Sequence, residues 1–116
     1  MVVETDAELD RLFRALADAT RRDIVRRTLV GELSVSGLAQ DYAMSFAAVQ
    51  KHVAVLEAAG LVRKTASGRE RLVRAEPSRL ERARRALDEL EARWRARIHQ
   101  LDAVLAEPDP NPDPHE

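Results

Sequence analysis

Two short apolar stripes at helical spacing, separated by only a few residues, constrain this chain more than any other feature. Leu38 and Ala39 follow Ser34; Val49, Val53 and Leu56 follow Ser45. Each serine stands where an N-cap hydroxyl accepts from the first turn of a helix. Apolar residues three and four apart share one helical face. Gly60 is placed to stop the second segment. Only Ala43 and Met44, give or take a residue, separate the two helices, so they are joined by a tight turn. The pattern then changes: Leu61-Val62-Arg63-Lys64-Thr65 reads as a strand and Ser67-Gly68 as a turn. Glu70-Arg71-Leu72-Val73-Arg74 reads as the returning strand.

The flanks are helical. Thr5 and Glu8 fit a capping box, and Leu9, Leu12, Phe13 and Leu16 repeat behind it at helical spacing. Asp18 is the N-cap candidate of a second helix with Ile24, Val25 and Leu29 as its expected buried stripe, ended by Gly31. Pro77 suits the first position of a last helix running to about Ala106. Leu80, Leu87, Trp94 and Leu101 recur there every seven residues. Ala83, Leu90 and Val104 run beside them, and Arg97 interrupts that line. A long helix with one such seam packs on another helix. The expected fold class is therefore mainly α with a small β-hairpin wing, in the order α-α-α-α-β-β-α of a winged helix-turn-helix. One domain is expected over residues 1–106, followed by an acidic, proline-rich, disordered tail over 107–116.

Composition excludes several classes of function. With 116 residues, 45% of them hydrophobic, the chain can bury a core without disulfides or metal. Cysteine is absent, which removes thiol catalysis, iron–sulfur clusters and thiolate zinc sites. Aromatics are only 3%, thin for a base-stacking platform. No apolar run passes four residues, against the ~20 a spanning helix needs, so no membrane association is expected. Met1-Val-Val-Glu-Thr-Asp has neither a basic n-region nor an apolar h-region, which makes a cytoplasmic location the expectation. There is no glycine-rich phosphate loop and no supported Ser-His-Asp set, so an enzyme is not expected. The net charge of −1 hides an asymmetry: residues 45–75 carry Lys51, Arg63, Lys64, Arg69, Arg71 and Arg74 against Glu57 and Glu70. A basic patch of this kind is what nucleic acid requires, whatever the overall charge.

Three stretches carry a family resemblance: Leu16-Ala-Asp-Ala-Thr-Arg-Arg-Asp-Ile-Val, Gly31-Glu-Leu-Ser-Val-Ser-Gly-Leu-Ala, and Met44-Ser-Phe-Ala-Ala-Val-Gln-Lys-His-Val-Ala-Val-Leu-Glu-Ala-Ala-Gly-Leu-Val. Through them residues 9–75 resemble the ArsR family of bacterial transcriptional regulators. The last helix, with Trp94 and Leu101-Asp-Ala-Val-Leu, is similar to a branch of that family with a long tryptophan-bearing final helix. The resemblance implies a homodimeric repressor bound to double-stranded operator DNA. Helix 45–59 would enter the major groove, and wing 61–75 would lie on the minor groove or backbone.

The residues give that contact its chemistry. If Val49, Val53 and Leu56 face the core, Phe46, Ala47, Gln50 and Lys51 face outward. Gln50 can pair bidentately with adenine, Lys51 can reach guanine acceptors or a phosphate, and Phe46 or Ala47 can touch a thymine methyl. Ser45 is either a phosphate ligand beside the helix amides or a plain N-cap. His52, between the core and groove faces, either makes a local hydrogen bond or touches a phosphate. Arg69 at the hairpin tip suits a narrow minor groove, with Arg63, Lys64, Arg71 and Arg74 along the phosphates or simply solvating the ribbon.

The resemblance also implies metal sites, and here the chain departs from it. The family's Glu-Leu-Cys-Val-Cys motif is Glu32-Leu33-Ser34-Val35-Ser36, with hydroxyls in place of both thiolates. A second family site maps to Glu76, Ser78, Glu89 and Ala92, without its histidines. Asp88, His99 and Asp102 keep a ligand-like spacing but read better as a solvated helix face. No metal and no cofactor is expected. Leu9, Leu12, Phe13 and Leu16, with Leu87, Leu90, Trp94 and Leu101, are the expected dimer interface. Trp94 could instead belong to an intramolecular core or line a pocket for an unidentified small-molecule effector. The alternative reading of the whole chain is a winged-helix module that binds another protein.

Overall fold

The computed structural model describes residues 5–106. Its elements are α1 (Asp6–Leu16), α2 (Ala19–Val30), β1 (Leu33–Ser34), α3 (Val35–Gln40), α4 (Phe46–Ala58), β2 (Val62–Ser67), β3 (Glu70–Ala75) and α5 (Pro77–Ala106). The expected tail over 107–116 lies outside the described residues.

Four helices begin in the same way. Thr5, Asp18, Ser34 and Ser45 each sit in extended backbone and accept from the N–H three residues on, in Glu8, Arg21, Gly37 and Ala48. Each cap satisfies a first-turn donor that the helix itself leaves unpaired. α4 ends through Gly60, whose φ is +76°. The Gly60 N–H donates to the Glu57 carbonyl at 2.9 Å and the Leu61 N–H to the Leu56 carbonyl at 2.9 Å. This is a Schellman closure, which needs left-handed backbone at its glycine. Between α3 and α4 the caps Asp41 and Ser45 enclose Tyr42, Ala43 and Met44, within the one-residue margin of the expected turn.

The chain divides into two compact units, residues 1–83 and 84–116. In the first unit, Leu12, Ile24, Leu38, Val49, Val53, Leu56, Leu61, Val62 and Val73 are fully buried in one apolar core. Leu9, Leu16, Leu33, Tyr42, Met44 and Leu80 pack around it. The expected stripe of α2 is corrected at one position: Leu29 is half-exposed, and Thr28 is buried in its place. The Thr28 hydroxyl donates to the Ile24 carbonyl at 2.8 Å, so its burial leaves no donor unpaired. In the second unit, the described residues are the helical stretch 84–106. There Leu87, Leu90, Trp94, Ile98, Leu101, Val104 and Leu105 are exposed.

The sheet holds one strand more than the sequence signalled. β2 and β3 form the expected hairpin, with Val62 opposite Ala75 and Ser67 opposite Glu70. β1 pairs antiparallel with β3, Leu33 opposite Val73, giving the order β1-β3-β2. The two-residue hairpin loop is Gly68-Arg69. Gly68 has φ +62°, and among the described residues no non-glycine has positive φ, a type II′ pattern that fits the strand twist.

Candidate nucleic-acid interface

α4 turns Val49, Val53 and Leu56 into the core, which exposes the opposite face. Ser45, Phe46, Ala47, Gln50 and Lys51 are all exposed. Phe46, Ala47, Gln50 and Lys51 are the side chains that the sequence reading turns outward. Ser45 is an N-cap, its hydroxyl accepting from Ala48 N–H at 3.1 Å.

The wing separates its cations by face. Strand alternation sets Val62, Lys64 and Ala66, with their partners Ala75, Val73 and Arg71, on one side of the hairpin. Arg63 and Arg74 lie opposite each other on the other side. A groove of about 400 Å³ runs between α3, α4 and the wing, and Phe46, Gln50, Lys64, Arg69 and Arg71 all line it. Ser36 and Glu70 line it as well. In the sequence Ser36 is marked only as a hydroxyl in place of a thiolate and not as a groove residue, because only the fold brings α3 beside the wing.

Three of the expected contact residues are already engaged. Arg63 does not reach this groove: it lies on the far face of the wing, where its Nε meets Glu76 Oε2 at 2.6 Å. Lys64 lines the groove, but its Nζ is 3.4 Å from Glu57 Oε1 on α4. His52 is mostly buried, and its Nδ1 lies 3.3 Å from Arg21 Nη1. The expected interface residues of α1 also divide. Leu12 is fully buried in the core and Leu9 and Leu16 pack against it, which corrects Leu12 as a surface residue. Phe13 is half-buried.

A second cluster fixes the turn before α4. The Tyr42 hydroxyl donates to Asp23 Oδ2 at 2.5 Å. Arg27 lies over the Tyr42 ring, 5.5 Å from its centre, and donates to Asp41 Oδ2 at 2.6 Å. The Tyr42 hydrogen bond, reinforced by Arg26, holds the Asp23 carboxyl below the usual carboxylate range. Burial, then the bond to Asp23, pushes the Tyr42 hydroxyl above its ordinary value. The Arg21 N–H, which donates to its carboxylate, holds Asp18 below the usual carboxylate range.

Among the described residues, no group of three His, Asp or Glu side chains comes together as a ligand set. No helix there is long and apolar enough to cross a membrane.

A capped, outward-facing helix behind a tight turn, flanked by a basic β-ribbon, defines a winged helix-turn-helix DNA-binding domain. Residues 18–64 match the bacterial regulatory proteins of the arsR family. The chain is 43% identical over 79 residues to the HTH-type transcriptional regulator Rv2034 of Mycobacterium tuberculosis, covering 68% of this chain and 74% of that protein. An ArsR-like transcriptional regulator from Rhodococcus sp. RHA1 superposes with a TM-score of 0.76 at 36% identity, covering 92% of this chain and all of the other. A homodimeric winged helix-turn-helix DNA-binding domain from Mycobacterium bovis, Mb0332, shares the fold. Its TM-score is 0.61 at 22% identity, over 79% of this chain and 90% of that one. The chain belongs to the arsR family of transcriptional regulators.

Proposed function

We propose that this regulator is a cytoplasmic homodimeric repressor that reads an inverted DNA repeat and responds to no metal. The observation that carries the reading is the groove in which Phe46 and Gln50 of α4 meet Arg69 and Arg71 of the wing. Gln50 pairs with an adenine edge and Phe46, one helical turn earlier, packs on a thymine methyl. Ala47 closes against the same base step. Lys51 and Arg71 neutralise phosphates, and Arg69 at the ribbon tip enters the minor groove. Ser45 directs its helix N-terminus at a phosphate. Arg63 and Lys64, each bound to a carboxylate, contribute less than their charge suggests.

The dimer is supported by the apolar face of residues 84–106, with Leu87, Leu90, Trp94 and Leu101 between 54% and 62% exposed. So much uncovered apolar surface on one helix calls for a partner. Phe13 of α1 is only half-buried and is a further candidate for the interface, and the homodimeric state of the Mycobacterium bovis protein supports a dimer. A two-fold dimer reads half-sites about one helical turn, or a multiple, apart. Metal independence rests on Ser34 and Ser36, whose hydroxyls stand where soft-metal sites need thiolates.

The test is a gel shift of the purified protein on its own upstream intergenic DNA across a salt series. The wild type should give a saturable shift that resists random competitor, and zinc or its chelator should not change it. Gln50→Ala and Arg69→Ala should weaken it. Salt-sensitive binding with no preference over random duplex would contradict the reading.

A further inference from the structure

We propose that His52 is a positioning residue of the reading helix and not a DNA contact, held by Arg21 so that the α1–α2 junction sets the rotation of α4. The inference rests on the DNA-reading role of α4 and deepens it.

From its place on α2, Arg21 extends its guanidinium to two other elements, α1 and α4. Its Nε donates to the Ala15 carbonyl at 2.7 Å and its Nη2 to the Arg14 carbonyl at 2.9 Å, both in the last turn of α1. Its Nη1 lies 3.3 Å from His52 Nδ1, in the middle of α4. A guanidinium has donors only, so Nδ1 is the acceptor and the neutral ring carries its proton on Nε2. Arg21 is itself fixed at the start of α2, where its N–H donates to Asp18 Oδ1 at 3.0 Å. The same Asp18 oxygen is 4.0 Å from His52 Nδ1. A planar fork with fixed donor directions therefore joins the end of α1, the start of α2 and the flank of α4. A lysine, with one rotatable ammonium, could not hold all three directions.

The place of His52 on α4 gives this contact its consequence. Gln50 and Lys51 immediately precede it on the exposed side, and Val53 follows it into the core. Core packing alone lets a short helix roll slightly; a directional bond on its flank does not. Bidentate reading of a base tolerates only about 10–20° of misorientation, so fixing the azimuth at His52 fixes it for Gln50.

Three variants separate positioning from contact. His52→Asn keeps an acceptor oxygen close to the place of Nδ1, His52→Ala removes it, and Arg21→Lys removes the fork. Affinity is measured for an operator selected from random DNA and for random duplex across a salt series, with thermal melting to set a temperature at which every variant is folded. Side-chain 15N spectra of the free protein report the His52 tautomer. His52→Ala and Arg21→Lys should lose roughly tenfold on the operator, the worth of one charge-assisted hydrogen bond. Their random-duplex affinity and salt slope should not change, and His52→Asn should restore most of the operator affinity. A wild-type ring that carries a proton on Nδ1 would overturn the proposal, because a guanidinium cannot donate to it. Wild-type operator affinity in His52→Ala would overturn the proposal, as would a salt slope smaller by about 0.9 in that variant, the share of one phosphate. A wild type that selects no sequence would overturn the DNA reading itself, and the inference with it. That failure is distinct because it appears before any substitution is made.

Discussion

Tyr42 and its neighbours show how single residues set the stability of this domain. Asp18 and Asp23 are both more acidic in the folded chain than in the unfolded one. Their contribution is therefore present above the unfolded carboxylate value and is lost as pH falls through the folded one. Melting temperature should drop below about pH 4, and Asp23→Asn should lose less over that window than wild type does. Tyr42 has the opposite sign. Its hydroxyl is held above the ordinary value, so its contribution is full below that value and is lost as pH rises through the raised one. Tyr42→Phe should cost about 1 kcal/mol at neutral pH in urea unfolding and remove the alkaline loss. At this scale the caps were legible, because Thr5, Asp18, Ser34 and Ser45 each act within three residues of themselves. The partners of Arg21, Tyr42 and Lys64 were not, because each lies on an element that only the fold brings near.

The elements divide in the same way. Long periodic stretches were readable: the buried line Val49, Val53 and Leu56 announces both α4 and its outward face. The two-residue β1 was not, since it exists only through its pairing with Val73 and Leu72 on β3. Leu29 misled because its apolar side chain ranks above that of Thr28, while a threonine bonded to its own helix buries at little cost. Glycines at the element ends give a direct check. Gly60→Ala sets an alanine at φ +76° with its Cβ 2.9 Å from Arg79 Nε. The backbone strain costs about 1–2 kcal/mol and should lower the melting temperature by about 5 °C. Gly31, at φ −177° with open space around it, should accept alanine without loss. Within the wing, Arg71→Ala should reduce the salt slope of DNA binding by about 0.9. Arg63→Ala, which removes a cation already bound to Glu76 on the far face, should change that slope far less.

For the molecule as a whole, the basic patch mattered more than the net charge. The chain carries −1 overall, yet its groove gathers Lys64, Arg69 and Arg71 beside Gln50. The proposed dimer then doubles that groove and gives the complex its symmetry. Trp94 and Leu101 are 62% and 56% exposed, so a Trp94→Glu, Leu101→Glu variant should keep its melting temperature at low concentration while sedimenting as a monomer. The central claim, that two copies of α4 read base pairs, is tested most directly by selecting bound sequences from random duplex DNA with wild type and Gln50→Ala in parallel. The predicted result is an inverted repeat for wild type, and the same repeat for Gln50→Ala with one symmetric adenine preference relaxed in each half. An unenriched pool, or a motif that Gln50→Ala leaves unchanged at every position, would contradict it.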